Sequence, residues 1–183
     1  MWDAYDLANQ VEEVAYKSGA RLITLTGGEP FLQPKAQLLD MCEVLWAKGF
    51  EIEAFTNGTL LYPTWAMDSI SMIVDWKLPG SGESTDLPQR IDNLQKMSER
   101  RRPWIVQHAV KFVCKNWLDV AEAVKLYQQY KDSMPEMIWY YGRVWDCDLT
   151  NAELVDFVMS NQLPWRLNVQ LHNYIWPAQE RGR

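Results

Sequence analysis

The chain has 183 residues, a size that fits one domain and buries enough core to fold without disulfide or metal staples. A formal net charge of −6 and the lack of a broad basic tract set aside nucleic acid as the main partner. No run approaches the roughly 18 apolar residues that cross a bilayer, and no basic region followed by an apolar segment opens the chain, so a soluble, cytoplasmic protein is expected.

Ala4, Leu7, Ala8, Val11, Val14 and Ala15 recur at three-four spacing and Gly19 follows, which predicts an opening amphipathic helix. Residues 21–26 are short, apolar and β-branched and read as a buried strand; Leu38, Met41, Cys42 and Leu45 mark a second helix, closed by Lys48 and Gly49. A strand over 51–56, a turn at "TNGT" and a short strand over 71–75 come next, and then the loop "LPGSGESTDLP". Leu87, Ile91, Leu94 and Met97 define a helix ending near Pro103. The basic cluster there, Lys96 with Arg100, Arg101 and Arg102, complements the helix dipole, a reading preferred to a phosphate-binding patch.

"VQHAVKFVC" reads as a strand and Val120, Val124 and Tyr127 as the face of the next helix. After a strand over 137–141, "TNAE" opens a helix that Thr150 can cap and Glu153 can reciprocate, with Leu154, Phe157 and Val158 as its buried face. "WRLNVQLHNYIW" reads as a last strand, with Leu167, Val169 and Leu171 on one side and Asn168, Gln170 and His172 on the other.

About six strands separated mostly by helices imply a mainly parallel α/β sheet, either doubly wound or part of a barrel. Ligands in such folds gather at the C-terminal ends of the strands, and "TGGEP" falls there. An α/β unit ordinarily opens with a strand, so the opening helix leads us to expect a preceding strand to be missing. Gly27 and Gly28 clear side chains from the strand end, Glu29 offers a carboxylate to an ammonium group, and Pro30 fixes the exit. That chemistry suits the amino group of an amino-acid moiety better than a phosphate, for which no Walker lysine is present. Alone, the motif leaves a plain βα turn and a binding site both open. Ten Trp and eight Tyr suggest a packed core before a flat-ligand pocket. Cys42, Cys114 and Cys147 have no metal-knuckle spacing and read as small buried hydrophobes.

Taken together, "TLTGGEP", "TNGT", "DWKLPGSGE" at 75–83, "VKFV" at 110–113 and "RLNVQLHNYIW" at 166–176 resemble, in that order, the 7-carboxy-7-deazaguanine synthase family of radical S-adenosylmethionine enzymes. The resemblance covers nearly the whole chain. It implies one radical-SAM-like domain over 1–183, a partial (β/α) barrel of mainly parallel strands that lacks its first strand. The implied activity converts 6-carboxy-5,6,7,8-tetrahydropterin to 7-carboxy-7-deazaguanine with loss of ammonia, on the route to queuosine-type bases. The family uses S-adenosylmethionine, a [4Fe–4S] cluster and Mg²⁺, and the cofactor carries the hard chemistry.

Position by position, the resemblance implies that Gly27, Gly28 and Glu29 contact the cofactor, as do Asp75, Trp76 and Lys77 in the place of the family's Ser-Pro-Lys segment. It implies substrate contacts for Thr26 and for His172, the latter matching the histidine of the Gln-x-His-Lys-Tyr ending, and a small-molecule pterin partner with a possible homodimer. The family's Cys-x3-Cys-x2-Cys loop has no counterpart, so cluster and Mg²⁺ ligands are expected to be absent from this chain and the chain inactive alone. Phe55 stands where an acidic residue is common, Gly142 and Arg143 replace Gln-Pro, and Asn173 replaces Lys. Those departures keep a second reading in view, a non-catalytic relative acting as a binding or partner subunit.

Overall fold

The computed structural model describes residues 3–82, 87–100, 106–145 and 147–175. In chain order its elements are α1 (Ala4–Ser18), β1 (Leu22–Leu25), α2 (Lys35–Ala47), β2 (Glu51–Thr56), α3 (Thr64–Ser69), β3 (Ser71–Trp76) and α4 (Leu87–Glu99). They continue as β4 (Ala109–Cys114), α5 (Trp117–Tyr130), β5 (Ile138–Arg143), α6 (Asn151–Ser160), β6 (Arg166–Leu167) and α7 (His172–Ile175). The strands make one six-stranded sheet in sequence order, β1-β2-β3-β4-β5-β6. β1 with β2, β2 with β3, and β5 with β6 all pair in parallel, as helix-connected neighbours should. Two compact units share the chain, one of Met1–Val74 with Asp86–Ala109, the other of Asp75–Thr85 with Val110–Arg183.

The first unit begins where Asp3 caps α1, its Oδ1 accepting the backbone N–H groups of Tyr5 and Asp6, each at 2.9 Å. Gly19, at φ +70°, ends the helix in the left-handed conformation that frees the last carbonyls for capping. The buried face of α1 is narrower than its periodicity predicts: Ala4, Ala8 and Ala15 are buried, whereas Val14 is 68% exposed. All four residues assigned to the inner face of α2 are buried, and Lys48 at its end pairs with Glu12 of α1. β2 and β3 alternate, with Ile52, Ala54, Met72 and Val74 buried on one face. β1 stands at one end of the strand order and Leu22 is 48% exposed, so this strand is half open where the sequence reads as buried. His108 is fully buried between two backbone groups, Nδ1 accepting from Met72 N–H at 3.1 Å and Nε2 donating to the Met67 carbonyl at 3.0 Å. That pair of roles is the neutral Nε2–H tautomer.

The second unit is held by aromatic packing. Phe112 lies 5.7 to 6.2 Å from the rings of Trp76, Trp139 and Trp165, and Tyr127 meets Trp139 and Trp165 edge-on at 5.1 and 5.6 Å. Much of the aromatic content is therefore core. The face of α5 is rotated from its expected position, with Val120, Ala123 and Leu126 buried in place of Val124. At α6 the capping box read from "TNAE" is formed, Thr150 Oγ1 accepting from Glu153 N–H at 3.2 Å and Glu153 Oε2 accepting from Thr150 N–H at 2.8 Å.

The closing strand is much shorter than its alternation predicts. Arg166 and Leu167 pair with Tyr140 and Tyr141, Asn168 N–H reaches the Tyr141 carbonyl at 2.7 Å, and the chain then turns at Val169–Leu171 into α7. Leu167 and Leu171 are 37% and 63% exposed, so the apolar half of the alternation has no buried face to occupy. Gly142 permits the last pairing: a Cβ there would lie 2.5 Å from the Asn168 carbonyl oxygen.

Candidate functional site

The turn after β1 folds as it does because both glycines hold conformations closed to other residues. Gly27 sits at φ +85° and Gly28 at φ +144°, and neither is crowded, so the need for glycine is conformational. Thr26, Gly27 and Gly28 are exposed, and the turn forms one wall of a cavity of about 410 Å³ that reaches Leu7 of α1 and Leu38 and Met41 of α2.

Glu29 is half-buried and does more than offer a charge to solvent. Its Oε1 accepts from Phe31 N–H at 3.3 Å and its Oε2 from Asn57 N–H at 2.9 Å, while Thr56 Oγ1 lies 2.8 and 2.9 Å from the two oxygens. The carboxylate thus joins the turn after β1 to the "TNGT" turn after β2. Asn57 Oδ1 closes that second turn by accepting from Thr59 N–H at 3.0 Å and Thr59 Oγ1–H at 2.7 Å.

Buried side chains of α4 support the same turn from below. Arg90, 1% exposed, donates Nε–H to the Asn57 carbonyl at 2.8 Å, and Asn93, 2% exposed, donates to the Gly58 and Leu60 carbonyls at 2.9 and 2.7 Å. Tyr62, also buried, places its hydroxyl 2.9 Å from Thr56 Oγ1, and burial pushes the phenol well above its ordinary range.

In the second unit Lys77 Nζ pairs with Asp75 Oδ2 at 3.1 Å, both side chains being a little under one-third exposed. Asp75 Oδ1 is buried and has no hydrogen-bond partner among the described residues, a polar atom a ligand could satisfy. Lys111 belongs to this group. Burial pushes its ammonium down, Asp75 pulls it up and Lys77 pushes it down again. Trp76, expected to contact the cofactor, has its side chain in the core, 1% exposed and packed on Phe112 at 6.2 Å and Tyr130 at 5.9 Å.

The loop after Lys77 is pinned by Asp119, a carboxylate 1% exposed that accepts Gly80 N–H at 2.7 Å and Lys115 N–H at 2.8 Å. Gly80 is required for this, because a Cβ there would fall 2.3 Å from Asp119 Oδ2. His172 begins α7, and its side chain lies outside the described residues, as do Arg101, Arg102 and Trp176.

All three cysteines are free. Cys42 and Cys114 are buried and desolvation pushes each thiol up to about 12, whereas Cys147 is half-buried, its Sγ donating to the Val144 carbonyl at 3.1 Å within a loop that Arg143 also ties down. Cys147 therefore departs from the buried-hydrophobe reading because it sits in a polar loop. Among the described residues no group of three or more His, Cys, Asp or Glu side chains could hold a metal ion. No helix among them is long and apolar enough to cross a membrane.

Lys111, Arg90, Asn93 and Tyr62 lie outside the sequence motifs that point to ligand contacts. Lys111 is the readable one, a lysine that interrupts an apolar strand; the others act across 33 or more residues or through a loop and leave no local signal.

No protein-family profile matches the chain. It is 28% identical to a 7-carboxy-7-deazaguanine synthase of Koribacter versatilis over 93% of this chain and 75% of the relative, and 27% identical to one of Clostridium acetobutylicum over 97% and 77%. The fold matches QueE from Escherichia coli with a TM-score of 0.57 at 20% identity, over 87% of this chain and 62% of that one. It matches TYW1 with a bound lysine-pyruvate adduct at a TM-score of 0.57 and 14% identity, over 85% of this chain and 55% of the other. The chain thus spans less than two-thirds of the solved chains it resembles, and the parallel α/β fold expected from its sequence is theirs. Over most of its length this chain is a homologue of the 7-carboxy-7-deazaguanine synthases.

Proposed function

We propose that this chain serves the 7-carboxy-7-deazaguanine synthase reaction, the radical ring contraction of 6-carboxy-5,6,7,8-tetrahydropterin with loss of ammonia. The observation that carries the reading is the Gly27–Gly28 turn at positive φ, followed by Glu29 on the wall of the 410 Å³ cavity, in a chain whose relatives bear that name. In this reading Gly27, Gly28 and Glu29 receive the methionine ammonium of S-adenosylmethionine. Thr26, exposed beside them, contacts the pterin.

Asp75, Lys77 and Lys111 supply a second polar group. The ammonium groups of Lys77 and Lys111 are of the kind that receives a carboxylate, such as the family's pterin carries. His172 is assigned to the substrate by its place in the sequence motif, and a homodimer is proposed on family resemblance alone. In the family the iron–sulfur cluster supplies reductive cleavage of S-adenosylmethionine.

Anaerobic iron–sulfide reconstitution, with S-adenosylmethionine and pterin binding followed on the same preparation, tests the reading. Both small molecules should bind, without a stoichiometric cluster and without turnover by this chain alone. A stoichiometric cluster would overturn the account of the cysteines, and failure to bind either molecule would overturn the proposed function.

A further inference from the structure

The hydrogen bonds around Glu29 have a direction that can be worked out from proton counting. Thr56 has one hydroxyl proton, and its Oγ1 lies within hydrogen-bond distance of both Glu29 oxygens, of the Tyr62 hydroxyl at 2.9 Å and of Gly58 N–H at 3.3 Å. Gly58 N–H can only donate, and an ionised carboxylate can only accept. The Thr56 proton therefore goes to Glu29, and the Tyr62 hydroxyl must donate to Thr56. The chain of donation runs Tyr62 to Thr56 to Glu29.

This arrangement sets what Glu29 has left. A carboxylate offers about four acceptor sites. Three donors already reach it, Phe31 N–H, Asn57 N–H and the Thr56 hydroxyl. Tyr62 is held in place in turn, 7% exposed and with its ring 4.7 Å from that of Phe31, the second residue after Glu29. Rotation of the carboxylate would break all three bonds at once.

From this geometry we infer that Tyr62 and Thr56 are positioning residues for recognition of a primary ammonium group: they lock Glu29 so that one acceptor site and the Gly27–Gly28 turn are presented together to the ligand. The inference rests on the reading of the turn as the S-adenosylmethionine amino site. It adds that discrimination for the amino group depends on two hydroxyls that do not belong to the "GGEP" motif. Thr56 and Tyr62 lie 27 and 33 residues beyond Glu29 in the chain (56 − 29 and 62 − 29).

The test uses the full chain, calorimetric titration with S-adenosylmethionine and with its analogue bearing hydrogen in place of the α-amino group, and the variants Thr56→Val, Thr56→Ser and Tyr62→Phe. The unaltered chain should prefer the amino-bearing ligand about tenfold. Thr56→Val should lose most of that preference and Tyr62→Phe about threefold of it, by weakening binding of the amino-bearing ligand only, while Thr56→Ser keeps it. Amide exchange at Gly28 and Glu29 should quicken in Thr56→Val without any ligand present. Tyr62→Phe removes one oxygen and keeps the ring on Phe31, which makes it the variant to rely on if Thr56→Val does not fold. A preference unchanged in Tyr62→Phe and Thr56→Val, with unchanged exchange, would overturn the inference and leave the cofactor reading standing. An unaltered chain that does not bind S-adenosylmethionine would overturn both.

Discussion

At Gly58 the backbone sits at φ +80°, and a Cβ would lie 2.8 Å from Val74 Cγ1 and 2.9 Å from Arg90 Cγ. Both neighbours are buried, so Gly58→Ala combines left-handed strain with overpacking and should cost about 2–4 kcal/mol. Urea unfolding would show it as a lower midpoint at constant slope; an unchanged midpoint would mean the turn is looser than described. The cysteines give a second residue-scale expectation. With thiols raised to about 12, Cys42 and Cys114 should resist iodoacetamide in the native protein at pH 8, while half-buried Cys147 reacts. Mass spectrometry of the labelled chain would read one modified cysteine, and modification of Cys42 before unfolding would contradict the packing of α2. At this scale the sequence reveals identities well and partners poorly. Glu29 reads as a charge waiting for a ligand, yet its partners Thr56 and Asn57 come from the next strand end, a contact no local pattern encodes.

Among the elements, the ends of α3 and α4 are joined by a two-pronged contact, Arg100 Nε and Nη2 donating to Asp68 Oδ1 and Oδ2 at 2.5 and 2.6 Å. Arg100 holds the Asp68 carboxyl below its ordinary value of 3.8, so the unfolded state binds the proton more readily. The contribution is complete above that ordinary value and is lost as pH falls through the lower folded one. Solvent screens the pair, whose side chains are 32% and 40% exposed, so Asp68→Asn should cost at most about 1 kcal/mol near neutrality and nothing at strongly acid pH. Equal loss at both pH values in denaturant titrations would assign the effect to packing instead. Asp119→Asn is the harsher change: it replaces an oxygen that accepts a backbone N–H with a group that cannot, and should cost about 1–3 kcal/mol and speed amide exchange at Gly80. The elements most legible in the sequence are those with a stop signal or a long period, such as α1, ended by Gly19, α2, and the 51–56 strand, whose limits β2 matches. α3 was missed because six residues after Pro63 are too few to display a period. The closing alternation misled because period two in sequence does not ensure a partner strand, and the chain turns away after Asn168.

For the whole molecule, the α/β order, the strand count and the likeness to 7-carboxy-7-deazaguanine synthases were all readable, because helix and strand periods alternate cleanly and the motifs fall at strand ends. Which face of the sheet each site residue takes was not, and Trp76 shows why: in a run such as "VDWK" a tryptophan between charged residues is equally compatible with a ligand wall and a core, and only the aromatic cluster around Phe112 decides it. In the proposed reading Gly27, Gly28 and Glu29 are where this chain takes hold of S-adenosylmethionine. Amide shift mapping of the ¹⁵N-labelled chain during titration with S-adenosylmethionine tests it most directly, because it reports location without requiring turnover. The account predicts the largest shifts at Thr26–Glu29 and at Asn57–Thr59; still amides at both turns, or shifts gathered instead at the 250 Å³ cavity lined by Tyr127, Met137 and Arg166, would contradict it.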